Sequence, residues 1–225
     1  MRVLIFGGSG MVGQGVLLEC VRDGEISEVL LVGRSASGLA GGRVRELVCR
    51  DLFDLSGVEA ELAGFDACFF CLGVSAGGMS EAEYRRLTYD LTVSVARTLV
   101  RLNPGMVFEY VSGAGTDSTE KGKTMWARVK GQTENALLGM GFRGAYMFRP
   151  GVIVPMDGIK SKTKAYRFFY AIFGPVLPVV KKMFPRSMTS TRELGRAMIK
   201  VAKVGWESGV VEGGDIGRIA TEKAG

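Results

Sequence analysis

The sequence predicts an α/β protein built on a doubly wound parallel sheet, and two observations carry that expectation. Short apolar runs of strand length alternate with segments of helical apolar spacing from residue 3 to residue 148. This is the pattern of a sheet covered by helices on both faces. The first apolar run is broken at once by a glycine-rich turn that opens a helix.

Residues 3–6 form the first strand, and residues 11–21 a helix with apolar positions Val12, Val16, Leu17 and Cys20. Strands follow at 29–32 and 44–49, a short helix at 58–63, and a fourth strand at 67–72. A long helix spans 80–102, with Ser80 as N-cap, Glu83 as its capping-box partner and Asn103-Pro104-Gly105 as its stop. Strands at 107–111 and 145–148 enclose a helix at 124–138. Residues 191–204 are helical, and 210–211 and 215–220 form a last short strand and helix. No repeat, low-complexity tract or linker interrupts this order. Residues 1–225 therefore read as one domain, with residues 152–190 as a small C-terminal cap over one end of the sheet.

At 47% hydrophobic and 23% charged residues, the chain is neither disordered, collagenous nor a disulfide scaffold. A net charge of +6 favours anionic ligands such as nucleotides, but no nucleic-acid motif accompanies it and nucleic acid is not an expected partner. Histidine is absent, which excludes His-based catalysis and His-ligated metal, and no metal site is expected. Cys68 and Cys71 form a C-x-x-C, yet it lies in a strand, where residues three apart point to opposite faces. The thiols, Cys20 and Cys49 included, therefore read as core packing and as reduced. The longest apolar run, residues 168–180, holds Gly174, Pro175 and Pro178 and is too short and broken to span a bilayer. The opening apolar run is cut at Gly7-Gly8, unlike a signal peptide. A cytoplasmic protein is the resulting expectation.

The loop Gly7-Gly8-Ser9-Gly10-Met11-Val12-Gly13 sits between strand and helix, the context in which a G-x-x-G-x-x-G binds a dinucleotide pyrophosphate in a Rossmann-type fold. Gly7 permits the turn off the strand, Gly10 lets the backbone approach the phosphates, and Gly13 lets the helix pack on the strand. The helix start, at Ser9, Met11 and Val12, supplies amide donors and a positive dipole end. The second strand ends in Gly33-Arg34-Ser35, with Arg34 21 residues after Gly13. An acidic residue here would accept from a ribose 2′-hydroxyl; a guanidinium suits a 2′-phosphate instead. NADP(H) is therefore expected over NAD(H). Asp51 and Leu52, after the third strand, fit an adenine contact, although Asp51 also suits a turn. Cys71, Leu72 and Gly73, ending the fourth strand, fit the adenosine ribose.

G-G-S-G-M-V-G, L-V-G-R, D-L, C-L-G, V-S-G-A and W-A-R-V-K-G-Q-T-E occur in the order found in short-chain dehydrogenases/reductases. The chain most resembles their atypical, epimerase/dehydratase-like NAD(P)-binding branch, which includes the TIP30-like oxidoreductases. The resemblance runs to Pro150-Gly151. It implies an oxidoreductase whose chemistry rests on a Tyr-x-x-x-Lys pair and a Ser ending the fifth strand. Here the pair reads Trp126-Ala127-Arg128-Val129-Lys130, and the Ser position falls at Ser112 or Gly113. Lys130 can still bond the nicotinamide ribose, but an indole has no acid/base titration near neutral pH. A substitute acid could come from Ser118, Thr119, Tyr110 or Tyr84, or from a bound water, although surface or packing roles fit all four side chains better. The turn Arg149-Pro150-Gly151-Val152 is expected beside the nicotinamide carboxamide. Trp126 is open to two roles, core aromatic or wall of an apolar pocket.

Tyr166, Phe168, Phe169, Tyr170, Ile172 and Phe173 crowd the cap between basic residues. A substrate-covering lid, a peripheral membrane contact and an oligomer interface all fit that composition. The oligomeric state is not predicted. The expected activity is reduction or isomerisation of a small carbonyl or sugar-like substrate. The alternative is a non-catalytic NADP(H) sensor or regulatory binding protein.

Overall fold

The computed structural model describes residues 1–159 and 188–222. Most of the expected cap, and its aromatic segment, lies outside the described residues. Seven parallel strands form one sheet: β1 (Arg2–Phe6), β2 (Glu28–Gly33), β3 (Val44–Val48), β4 (Ala67–Phe70), β5 (Val107–Val111), β6 (Gly144–Arg149) and β9 (Val210–Glu212). Their order is β3-β2-β1-β4-β5-β6-β9, with β1 beside β2 on one side and β4 on the other. The doubly wound, Rossmann-type architecture is as expected, and the chain reverses direction across the sheet at the β1/β4 boundary.

Strand alternation builds a core on each face. Val3 and Ile5 point to α1 (Met11–Arg22), α6 (Thr191–Val204) and α7 (Gly213–Thr221). Leu4 and Phe6 point to the opposite layer, which holds α2 (Glu59–Leu62), α4 (Leu91–Leu102) and α5 (Met125–Leu138). There Phe70 stacks on Phe6 and Phe108, with ring centres 5.5 and 5.8 Å away.

The expected helix at 80–102 is three pieces: α3 (Glu81–Arg85), a π turn (Arg86–Asp90) and α4. Its start is as the sequence says. The Ser80 hydroxyl accepts from the Glu83 amide and the Glu83 carboxylate accepts from the Ser80 amide. Two short strands were not foreseen: β7 (Val152–Val154) pairs in parallel with β8 (Met188–Ser190) where the expected cap begins and ends.

Candidate functional site

The glycine loop leaves β1 through Gly7, whose φ of +83° lies in the left-handed region. A Cβ on Gly7 would lie 2.9 Å from the Cys71 carbonyl. One on Gly13 would lie 2.8 Å from the Gly8 Cα, so Gly13 is what lets α1 close on the loop. Gly10 caps α1 with extended backbone and no side-chain cap, and its amide donates to the Gly7 carbonyl at 2.9 Å. The first-turn amides of α1 are thus left for another acceptor.

These amides open on a cleft of about 940 Å³ at the strand ends. That volume suits a large small-molecule ligand. One rim is Arg34, Ser35, Ser37 and Glu46; the middle is the glycine loop with Leu52, Cys71, Leu72 and Gly73. The far end is Ser112, Trp126, Lys130, Pro150, Gly151 and Val152. Of the residues expected to bind the dinucleotide or to stand in for the Ser, Tyr and Lys of the resemblance, the structure brings to this lining Gly7, Ser9, Gly10, Met11, Val12, Arg34, Leu52, Cys71, Leu72, Gly73, Ser112, Trp126, Lys130, Pro150, Gly151 and Val152, but not Gly13, which packs behind it, or Asp51. The Asp51 carboxylate accepts from the Phe53 amide at 2.9 Å in an exposed turn, the turn role that the sequence also allowed, and it lies outside the cleft lining. Glu46, Ser37 and Ser75 were not foreseen. Glu46 carries only the mark of a strand residue in the sequence.

Arg34 is exposed and makes no ion pair or hydrogen bond among the described residues. At the other end, Lys130 and Glu134 stand one turn apart on α5 and both grip Ser112. The Lys130 ammonium donates to the Ser112 carbonyl, and the Ser112 hydroxyl donates to Glu134. Glu134 also accepts from Arg149, at 3.1 and 3.2 Å from Nε. Ser112 lines the cleft but is only 5% exposed, and its hydroxyl is engaged by Glu134, whereas the expectation gave it a role toward a substrate carbonyl. Burial lowers Lys130 to about 8, against a smaller upward pull from Glu134.

Trp126 lies in the first turn of α5 and forms a wall of the cleft, beside Gly115. None of the four substitute acids lines the cleft. Tyr84 and Tyr110 are buried in the core, and burial pushes both phenols up. Ser118 accepts from Arg149, and Thr119 donates to Asp117 at 2.6 Å. Among the described residues, no group of His, Cys, Asp and Glu is placed to hold a metal.

A Rossmann sheet, a glycine loop at its switch point and an α5 lysine facing the same cleft are the features by which the chain resembles the short-chain dehydrogenases/reductases. Its resemblance to the atypical branch of that group is borne out by sequence relatives. Protein fmp52 of Emericella nidulans is 25% identical over 183 residues, 78% of this chain and 77% of that protein. Protein HTATIP2 of Rattus norvegicus is 26% identical over 196 residues, 80% of this chain and 78% of that protein. No family model matches the chain.

Solved structures agree on the fold. A short-chain dehydrogenase/reductase superfamily protein from Agrobacterium tumefaciens, with bound NAD, matches with a TM-score of 0.65 at 15% identity over 93% of this chain and 76% of that one. MoeE5 in complex with UDP-glucose and NAD matches with a TM-score of 0.68 at 17% identity over 96% and 79%. The expectation of a cytoplasmic protein does not stand. The Emericella relative and a 26% identical one from Chaetomium globosum are both named as mitochondrial. Among the described residues, no helix is long and apolar enough to cross a membrane.

Proposed function

We propose that this chain is an oxidoreductase-type protein that binds a nicotinamide dinucleotide in the cleft and prefers NADP(H) to NAD(H). The observation that carries the reading is the pairing, on one cleft, of uncapped α1 amides with an Arg34 that has no partner among the described residues. The amides of Ser9, Met11 and Val12 hold the pyrophosphate, and Arg34 takes the 2′-phosphate. Leu52 and the Cys71-Leu72-Gly73 turn flank the adenosine. Lys130 bonds the nicotinamide ribose, and the backbone of Pro150-Gly151-Val152 meets the carboxamide. When bound, the dinucleotide supplies hydride-transfer chemistry. Trp126, Val111 and Ile153 give the reacting end apolar walls, which suits a small carbonyl or sugar-like substrate.

A second reading, a non-catalytic NADP(H)-dependent regulator, is favoured by one observation. The two hydroxyl positions expected to serve a carbonyl are an indole at Trp126 and an inward-turned Ser112. NADPH oxidation against a panel of carbonyls, with native chain, Lys130→Ala and Trp126→Tyr, separates the two. Native turnover that collapses in Lys130→Ala supports the enzyme. NADPH binding without turnover in the native chain, with turnover appearing in Trp126→Tyr, supports the regulator.

A further inference from the structure

We propose that Glu46 is a positioning residue for dinucleotide choice: from β3 it anchors the loop after β2 and so holds Arg34 at the adenosine end of the cleft. The inference rests on the reading of the cleft as an NADP(H) site and deepens it. The Glu46 carboxylate receives three donors on one oxygen, Oε1. The Ser37 amide donates at 3.0 Å, the Leu39 amide at 3.2 Å, and the Ser37 hydroxyl completes the set. Gly38, at φ +75°, turns the chain so that the amides on either side converge on that oxygen. The Ser37 hydroxyl first, then the loop amides, hold the Glu46 carboxyl below its ordinary range, so the anchor is charged at neutral pH.

Arg34, Ser35, Ser37 and Glu46 line the cleft together. Arg34 has no partner of its own among the described residues, so the path of the chain sets where its guanidinium starts. That path is fixed at Ser37 and Leu39 by Glu46. A carboxylate near a bound 2′-phosphate also repels it, and the two effects have opposite signs. The three donors turned onto Oε1 offset its charge, and anchoring prevails.

The experiment is calorimetric titration of NADPH and NADH into the native chain, Glu46→Ala, Glu46→Gln, Arg34→Ala and the Arg34→Ala/Glu46→Ala double variant. Glu46→Ala is expected to weaken NADPH about tenfold and to leave NADH within about twofold. Glu46→Gln, which keeps one acceptor oxygen, is expected to lose less. The double variant is expected to bind NADPH no more weakly than Arg34→Ala alone, because Glu46 acts through Arg34. Should Glu46→Ala fail to fold, Ser37→Ala removes one donor alone and is expected to show a smaller loss confined to NADPH. NADPH binding unchanged or tighter in the Glu46 variants would overturn the inference. So would an equal loss of both dinucleotides, or a further loss on the Arg34→Ala background. Those results leave the NADP(H) reading standing when the native chain prefers NADPH; a native chain without that preference ends both.

Discussion

Arg34 and Lys130 mark the two ends of the cleft, and each makes a separate prediction. Arg34→Asp replaces a cation by a group that repels a 2′-phosphate and welcomes a 2′-hydroxyl. NADPH affinity should fall roughly ten- to a hundredfold while NADH affinity holds or rises, as read by fluorescence titration. Equal losses for both dinucleotides would contradict the role. Lys130 is held down by burial, to about 8, and should titrate there. The folded chain then releases a proton that the unfolded chain keeps. Its cost to folding is complete below pH 8 and fades as pH rises toward the ordinary lysine value of 10.5. NMR of the dimethylated lysines, with Lys130→Met for assignment, checks the value. A Lys130 resonance that titrates above pH 10 would show that the ammonium is not desolvated.

At the scale of elements, the glycine loop is only as well placed as α1, and α1 is set against α6. The two helices cross at Gly15 and Gly195. A Cβ on Gly15 would lie 2.9 Å from the Thr191 carbonyl oxygen, and one on Gly195 would lie 3.2 Å from the Gly15 carbonyl. Buried Glu19 beside the crossing accepts from Arg196 at 2.8 Å. Gly15→Ala should cost about 1–3 kcal/mol by overpacking, measured by urea unfolding. An unchanged midpoint would show that the helices can part at no cost.

The main elements were legible because each carries its own periodicity. The glycine loop was legible because its conformation needs residues without side chains. The β7–β8 pair was not, because Met188-Thr189-Ser190 shows no alternation and its partner is remote in sequence. The π turn was hidden because one added residue per turn leaves a helical apolar pattern largely intact.

For the whole molecule, the seven-stranded sheet carries a buried polar group that has no partner among the described residues. Glu109 on β5 is fully buried, and among the described residues neither carboxylate oxygen has a hydrogen-bond partner. Burial raises its carboxyl well above the ordinary value, so the folded chain keeps a proton that the unfolded chain releases. This group therefore makes stability decline as pH climbs past the ordinary value of 4.5. Glu109→Leu should stabilise the protein by about 1–3 kcal/mol at pH 7 and remove that slope. A fall in Tm would show that the carboxyl is satisfied.

The site was legible to the extent that backbone and sequence spacing define it: the loop, Arg34, Lys130 and the turn after β6. Its side-chain commitments were not. Asp51 turning to Phe53, Ser112 to Glu134, and Glu46 to the 37–39 loop depend on atoms brought together only by folding. The central claim is a dinucleotide held on the α1 amides, and calorimetry of the native chain with NADPH, NADP⁺, NADH and NAD⁺ tests it most directly. One-to-one binding, tighter for the 2′-phosphorylated pair, is the predicted result. No heat with any of the four would contradict it.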